Sequence, residues 1–494
     1  MSESNELSLH HEDSSSTWVR WVGLLGGAGL FLTLLFLPAP EGLSLAGWRT
    51  AAVALLMATW WVTEVVPISV TALLPMILFP VLGIAEIAAT TAPYANPMIF
   101  LFMGGFVIAI AMQRWNLHRR IALNIIARVG SKPRSIVIGF MISTAFMSMW
   151  VSNTAATLMM LPIAISVIEL ARDPQTGVLP DSYRNFSIGL MLAIAFSSSV
   201  GGLGTVIGTP TNALMIAFAD EAYGVQIQFS EWMMIGLPVV VLGLPIIYLV
   251  LTRWVYPVVV NELPGGKEFI HGELQSLGGI TKPEKWVAAV FVMTGTLWLS
   301  RPLLIGLLPG LSDAGIAIFG ATLLFLIPVD WKNGRFLLTW KEAEKLPWGV
   351  LILFGGGLTL AGAIQRTGLA EWVGGYFGIL DGLHLIWVLL AICFVIIMFT
   401  ELASNSATAA AFLPVIGSVA LGIGEDPVLM TLPVALVASC AFMLPVATPP
   451  NAIVYGSGVL SISQMARAGF VLNIIFTVLI SLLTVYLFSF WVGV

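Results

Sequence analysis

Apolar stretches separated by short polar patches run the length of the chain, and several exceed the about 20 residues that a helix needs to cross a bilayer. The clearest are 18–38, 232–252, 285–308 and 469–491. None shows the ten-residue alternation of a transmembrane barrel, so the pattern predicts a helical bundle. Further spans are predicted at 46–64, 68–84, 97–114, 313–329 and 347–365. A helix from about 186 runs into SSSVGGLGTVIGTPTNAL (197–214), whose five glycines and Pro210 predict unwound backbone in mid-membrane. LPVATPPNAIVYGSG (444–458) predicts a second broken span. Two longer stretches, 135–171 and 385–421, carry a small polar triplet near the middle. Each reads as two half-length helices meeting at the triplet, a hairpin that enters and leaves on one side. The total is about eleven spans plus two re-entrant hairpins.

The polar patches repeat. MSMWVSNTAATLMMLP (147–162) returns as MFTELASNSATAAAFLP (398–414), pairing Ser152 with Ser404, Asn153 with Asn405, Thr154 with Ser406 and Pro162 with Pro414 at one shift of 252. The same shift aligns 101–117 with 353–369, where nine of seventeen residues are identical, including Gly104 with Gly356 and Gly105 with Gly357. Composition alone would give roughly two. Glycine-rich membrane helices resemble one another because small residues allow close packing, but a shift shared with the triplets argues for an internal duplication. Thr209, Pro210 and Asn212 recur as Thr448, Pro449 and Asn451 at a shift of 239, shorter because the first-half loop is longer.

Charge sets the expected orientation. Residues 114–134 hold six Lys and Arg and no acid, whereas the equivalent 366–386 carries a net charge of −1. The basic segment should be cytoplasmic, so the two repeats face opposite sides, which is an inverted topology. The N-terminus is then inside and the C-terminus outside. With 58% hydrophobic and 10% charged residues, against roughly 25% charged in soluble domains, the chain reads as an all-α integral membrane protein. A net charge of −5 without a long basic run excludes a nucleic-acid partner. Cys393 and Cys440 lack metal-ligand spacing and read as packing residues. Glu64 reads as a helix-end glutamate, and Glu401 as structural because its counterpart is Met149.

No lysine or arginine lies in either hairpin core. A bound anion would therefore be met by helix N-termini, backbone N–H groups, Asn amides and hydroxyls, or by co-bound cations. Ser, Thr and Asn oxygens with freed carbonyls suit a hard monovalent cation such as Na⁺. Taken singly, Ser148 and Thr400 read equally well as hydroxyls bonded to their own helix carbonyls, whereas a repeated amide at lipid depth is hard to satisfy by accident.

SNTAAT and SNSATA ahead of a proline, GTPTN, ATPPN and WWVTEVVP together resemble the divalent anion:sodium symporter family, the solute carrier 13 or INDY-type dicarboxylate transporters. The resemblance covers nearly the whole chain after the tail. It implies a homodimeric elevator in the plasma (inner) membrane, with no enzymatic cofactor and Na⁺ as coupling ion. The expected division is a disordered cytoplasmic tail (1–17), a first helix and scaffold part (18–134), and a transport part (135–231). A connecting helix and cytoplasmic loop (232–284), a second scaffold part (285–384) and a second transport part (385–494) follow. One sodium site would use Ser148, Ser152, Asn153 and Gly208, and the other Thr400, Ala403, Asn405 and Ala447. Substrate carboxylates would meet Asn153, Thr154, Thr209 and Pro210 on one side, and Asn405, Ser406, Thr448 and Pro449 on the other. The second triplet reads SNS where the family often has SNT. The leading expectation is sodium-coupled import of C4-dicarboxylates such as succinate, malate or fumarate. Alternatives are a sodium-independent exchanger, a citrate or sulfate transporter and, from another class, an ion channel. An enzyme is disfavoured, since no His, Asp pair or activated Ser is placed for chemistry.

Overall fold

A computed structural model describes residues 14–488 apart from Pro174 and Asp381. The first repeat region holds α1 (Ser14–Phe36), α2 (Leu45–Thr63), α3 (Ile68–Thr71), α4 (Leu74–Val81), α5 (Ile87–Thr91), α6 (Pro97–Arg114) and α7 (Leu117–Val129). It continues with α8 (Pro133–Ser148), α9 (Asn153–Glu169), α10 (Asp181–Gly202) and α11 (Pro210–Tyr223). After α12 (Phe229–Leu249) and α13 (Gly266–Ser276) come α14 (Lys282–Leu304), α15 (Asp313–Leu326), α16 (Trp340–Ala343), α17 (Trp348–Arg366) and α18 (Leu369–Tyr376). The chain closes with α19 (Leu385–Thr400), α20 (Asn405–Gly422), α21 (Pro427–Ala438), α22 (Pro449–Gly456) and α23 (Ile462–Leu483). Among the described residues, eight helices are long and apolar enough to cross a membrane.

Several expectations are corrected. The span expected at 68–84 is two short helices, α3 and α4, with Pro75 and Pro80 in the second. Pro75 has no N–H to offer the Thr71 carbonyl and its ring crowds the preceding turn, so the helix stops at Thr71 and restarts at Leu74, whereas Pro80 is accommodated inside α4. Helix α1 begins at Ser14, inside the expected tail, whose residues 1–13 lie outside the described ones. The loop 256–284 contains α13, and the basic link before α17 contains an antiparallel ribbon, Pro328–Asp330 with Arg335–Phe336. Glu64 ends α2 in the left-handed region at φ 46° and is exposed, as expected of a helix-end residue. Cys393 and Cys440 are buried free thiols.

The centre consists of α10 and α21, which occupy matching places in the two repeats. Every residue from Phe186 to Gly202 is buried, as is every one from Val428 to Ala438. Helices α8 and α9 both pack on α10, and α19 and α20 both pack on α21. At about 1.5 Å per residue, the sixteen residues of α8 or α19 fall short of a bilayer core of about 30 Å. The repeats interlock, because α11 packs on α21 and α20 while α22 packs on α10 and α9.

Glycine sets the closest approaches. A Cβ at Gly201 would lie 2.4 Å from the Ala145 Cα, and one at Gly356 would lie 2.2 Å from the Ala72 carbonyl oxygen. Gly236 of α12 faces the Leu203 carbonyl at 2.1 Å by the same measure, and Gly469 of α23 faces the Phe442 carbonyl at 2.2 Å. The two breaks in the central helices are thus covered by equivalent helices through equivalent glycines.

Candidate functional site

Both triplets sit where a hairpin leg starts, so the sequence break and the structural break coincide. Helix α8 stops at Ser148, residues 149–152 turn, and α9 begins at Asn153 with Ser152 capping it through an Ala155 N–H bond of 3.3 Å. In the second repeat α19 stops at Thr400 and α20 starts at Asn405. Ser152–Thr154 and Ser404–Ser406 are all half-buried, neither sealed in the core nor fully open.

Oxygen atoms crowd at each turn. Ser148 Oγ lies 2.6 Å from Asn153 Oδ1 and 2.7 Å from the Ser198 carbonyl. Ser198 Oγ donates to the Asn153 carbonyl at 2.8 Å. In the other repeat Thr400 Oγ1 lies 3.0 Å from Asn405 Oδ1 and 2.9 Å from the Ala438 carbonyl. A hydroxyl carries one proton, so each trio of oxygens has a single hydrogen to share between two acceptors. A hard cation satisfies that surplus of lone pairs. Gly208 belongs to the first cluster. A Cβ on neighbouring Gly202 would meet Asn153 Oδ1 at 2.5 Å and the Gly208 carbonyl at 3.2 Å. Ala403 and Ala447 are buried beside the second cluster in sequence and offer only backbone carbonyls.

Thr209 and Thr448 cap α11 and α22, with Pro210 and Pro449 at the first helical position, where proline's missing N–H is no loss. Thr448 Oγ1 accepts the Asn451 N–H at 3.2 Å. Helix α22 packs on α9 and α11 packs on α20, so each broken helix lies against a hairpin leg of the other repeat.

Sequence reasoning missed three supports, and Glu401, read as structural, is a fourth whose partners it did not identify. Asn212 Nδ2 donates to the Gly202 and Thr205 carbonyls at 3.0 and 2.7 Å, and Asn451 Nδ2 to the Ala441 and Leu444 carbonyls at 3.1 and 3.0 Å. These contacts are related by the shift of 239, and each asparagine ties down unwound backbone. The motif repeat was the available signal for them. Thr211 Oγ1 lies 2.7 Å from Ser439 Oγ and joins the repeats. The Ser198 and Ala438 carbonyls leave no trace in side-chain patterns. Glu401, 3% exposed, accepts backbone N–H bonds from Phe442, Met443 and Leu444.

The chain resembles known proteins along nearly its whole length. Residues 18–494 match the family described as the sodium:sulfate symporter transmembrane region. The sodium-dependent dicarboxylate transporter SdcS of Staphylococcus saprophyticus is 41% identical over 481 residues, 96% of this chain and 93% of that protein. SdcS of Staphylococcus aureus strain USA300 is 41% identical over 478 residues, 96% and 92% of the two chains. Among solved structures, the Alcanivorax borkumensis YdaH transporter aligns with a TM-score of 0.57 at 14% identity, covering 97% of both chains, which is a likeness of fold. The duplicated triplets, the two broken helices and these matches along nearly the whole chain make this protein a member of the divalent anion:sodium symporter family.

Proposed function

We propose that the protein is a sodium-coupled secondary transporter that imports C4-dicarboxylates such as succinate, malate and fumarate. The observation that carries the reading is the duplicated oxygen cluster, Ser148 with Asn153 and Thr400 with Asn405, each short of protons for its acceptors. The 41% identity to proteins named sodium-dependent dicarboxylate transporters favours the same cargo here. In this reading Ser148, Ser152, Asn153 and Gly208 hold one sodium ion, and Thr400, Ala403, Asn405 and Ala447 the other. The two carboxylates of the substrate lie against Asn153, Thr154, Thr209 and Pro210 and against Asn405, Ser406, Thr448 and Pro449. Helix N-termini and the captured cations replace a basic side chain in balancing the substrate's charge.

The half-length hairpins are re-entrant, and with the broken helices they form the moving transport part of an elevator. The remaining helices form the scaffold of a homodimer in the plasma membrane. The N-terminus is cytoplasmic, as the basic segment 114–134 favours.

Purified protein in liposomes tests the reading. Succinate uptake is expected to need external sodium and to cease in choline buffer. Unchanged uptake in choline would leave a sodium-independent exchanger, while preferential competition by sulfate or citrate would replace the cargo. Asn153→Ala and Asn405→Ala should each lower sodium-dependent uptake roughly 100-fold, since each removes two tenfold-scale interactions, one with the cation and one with the hairpin hydroxyl. Normal uptake by either folded variant removes that asparagine from the site.

A further inference from the structure

The two hairpin turns are anchored to the broken helices by different chemistry. In the first repeat the Thr205 hydroxyl donates to the Met149 carbonyl, a neutral bond. The equivalent positions in the second repeat are Leu444, which has no hydroxyl, and Glu401. The polar group has changed sides and gained a charge. Glu401 Oε1 accepts the Phe442 N–H at 2.7 Å and the Met443 N–H at 2.9 Å, and Oε2 accepts the Leu444 N–H at 3.0 Å. Asn473 Nδ2 of α23 donates to Oε1 at 2.7 Å. No lysine or arginine pairs with this buried carboxylate; among the described residues its counter-groups are three amide N–H dipoles and one side-chain amide.

A carboxylate accepting several backbone N–H bonds makes charge-assisted contacts about twice as strong as neutral ones. Here they close on one short segment. Glu401 takes the N–H groups of 442–444 while Asn451 takes the carbonyls of Ala441 and Leu444, so the backbone between α21 and α22 is gripped from both sides. That segment lies between Ala438, whose carbonyl meets Thr400 Oγ1, and Ala447. Glu401 itself follows Thr400 in the chain.

We propose that Glu401 is a positioning residue for the second cation: by fixing 442–444 and α23 to the hairpin turn, it sets the separation of the Ala438 and Ala447 carbonyls from Thr400 and Asn405. The inference rests on the sodium reading of that cluster. It also makes the two sodium sites unequal, since the first turn is tied to its broken helix by neutral hydrogen bonds, from Thr205 and Ser198, with no carboxylate.

The test is sodium titration, read both by uptake in liposomes and by sodium-induced thermal stabilisation of the detergent-purified protein without substrate. Glu401→Gln keeps the size but aims an NH₂ group at backbone donors. Its half-saturating sodium concentration is expected to rise by at least about tenfold in both readouts, with succinate uptake recovering at high sodium. Met149→Leu, at the matching place in the first repeat, should leave the sodium titration within about twofold of the parent, a span of about 0.4 kcal/mol. If Glu401→Gln fails to fold, Asn473→Ala, which removes one of the four donor groups, is read in the same way and should raise the midpoint about threefold. A folded Glu401→Gln with the parent's sodium midpoint overturns the proposal, as does an unchanged midpoint in Asn473→Ala. If Asn405→Ala also keeps the parent's midpoint, the sodium reading of the cluster fails as well; if Asn405→Ala alone shifts it, only the role of Glu401 is lost.

Discussion

The two breaks in the central helices share a sequence ancestry but not a setting. In the first repeat, Ile207 is 5% exposed and packs against Gly105 of α6, where a Cβ would come within 2.8 Å of it. Its counterpart Val446 is 81% exposed. Trp150, at the first hairpin turn, packs edge-on against Phe291 of α14, with ring centroids 4.9 Å apart, whereas its counterpart Leu402 is 77% exposed. Helix α11 runs along α17, but α22 makes no comparable packing with α6, the repeat partner of α17. Two clusters of oxygens that match one another therefore sit asymmetrically in the surrounding helices. One side of the paired breaks is covered by neighbouring helices and the other is exposed. In the proposed orientation the open side, where α22 lies, is cytoplasmic.

The comparison breaks most sharply at Gly208 and its counterpart Ala447. A Cβ at Gly208 would stand 2.3 Å from the Gly202 carbonyl and 2.9 Å from the Gly202 Cα, backbone atoms that cannot turn aside. Gly208→Ala is expected to abolish sodium-dependent succinate uptake, a loss beyond about 100-fold, because overpacking by even one methyl in a rigid site costs on the order of 1–3 kcal/mol and displaces a cation ligand. Ala447→Gly should cost no more than about fivefold, since its carbonyl remains and only some backbone stiffness is lost. Equal effects at the two positions would mean that the repeats are alike after all.

Access gives the next largest difference. With Cys393 and Cys440 buried, a single introduced thiol reports its own position. Val446→Cys should react with a water-soluble maleimide at least about tenfold faster than Ile207→Cys, since a buried thiol reacts only when the surrounding structure opens. Comparable rates would remove the sealed side.

The smallest effect concerns how the sealed side is held. Arg366 of α17 lies 3.7 Å from Glu221 of α11, and Gln365 donates to the Tyr223 hydroxyl at 3.2 Å. The arginine side chain is 50% exposed, so the pair is worth little, on the order of 0.2–1 kcal/mol. Glu221→Gln in the Ile207→Cys background should raise the labelling rate by only about two- to threefold. A tenfold rise would show that this pair, and not the packing of Ile207, keeps the side closed.

Much of this was legible in the sequence because membrane burial penalises unsatisfied polar groups. Asn153 and Asn405 were visible as repeated amides in apolar surroundings, and each anchors a cluster of oxygens. The helix breaks at Pro210 and Pro449 were visible because proline and glycine act locally. What stayed hidden depends on distance in the chain. The Ser198 and Ala438 carbonyls belong to every residue type alike, so no pattern marks them. The partners of Glu401, which reads as structural, stayed hidden because they are backbone groups 41 to 43 positions away and an asparagine 72 positions away. The breaking of 68–84 into two helices turns on Pro75, which a hydropathy reading passes over. The unequal surroundings of the two repeats lie beyond a repeat comparison, which by construction reports only what is shared.

The hydroxyl contact between Thr211 and Ser439, with α22 resting on α10 and α11 on α21, bears on how such a chain arose. Each half supplies the piece that finishes its sibling's interior, and neither finishes its own. A half-length chain with this packing would be incomplete alone and would need a second copy beside it. Joining the two halves in one chain turns an encounter between molecules into a covalent certainty, and leaves them free to differ at positions such as Met149 and Glu401.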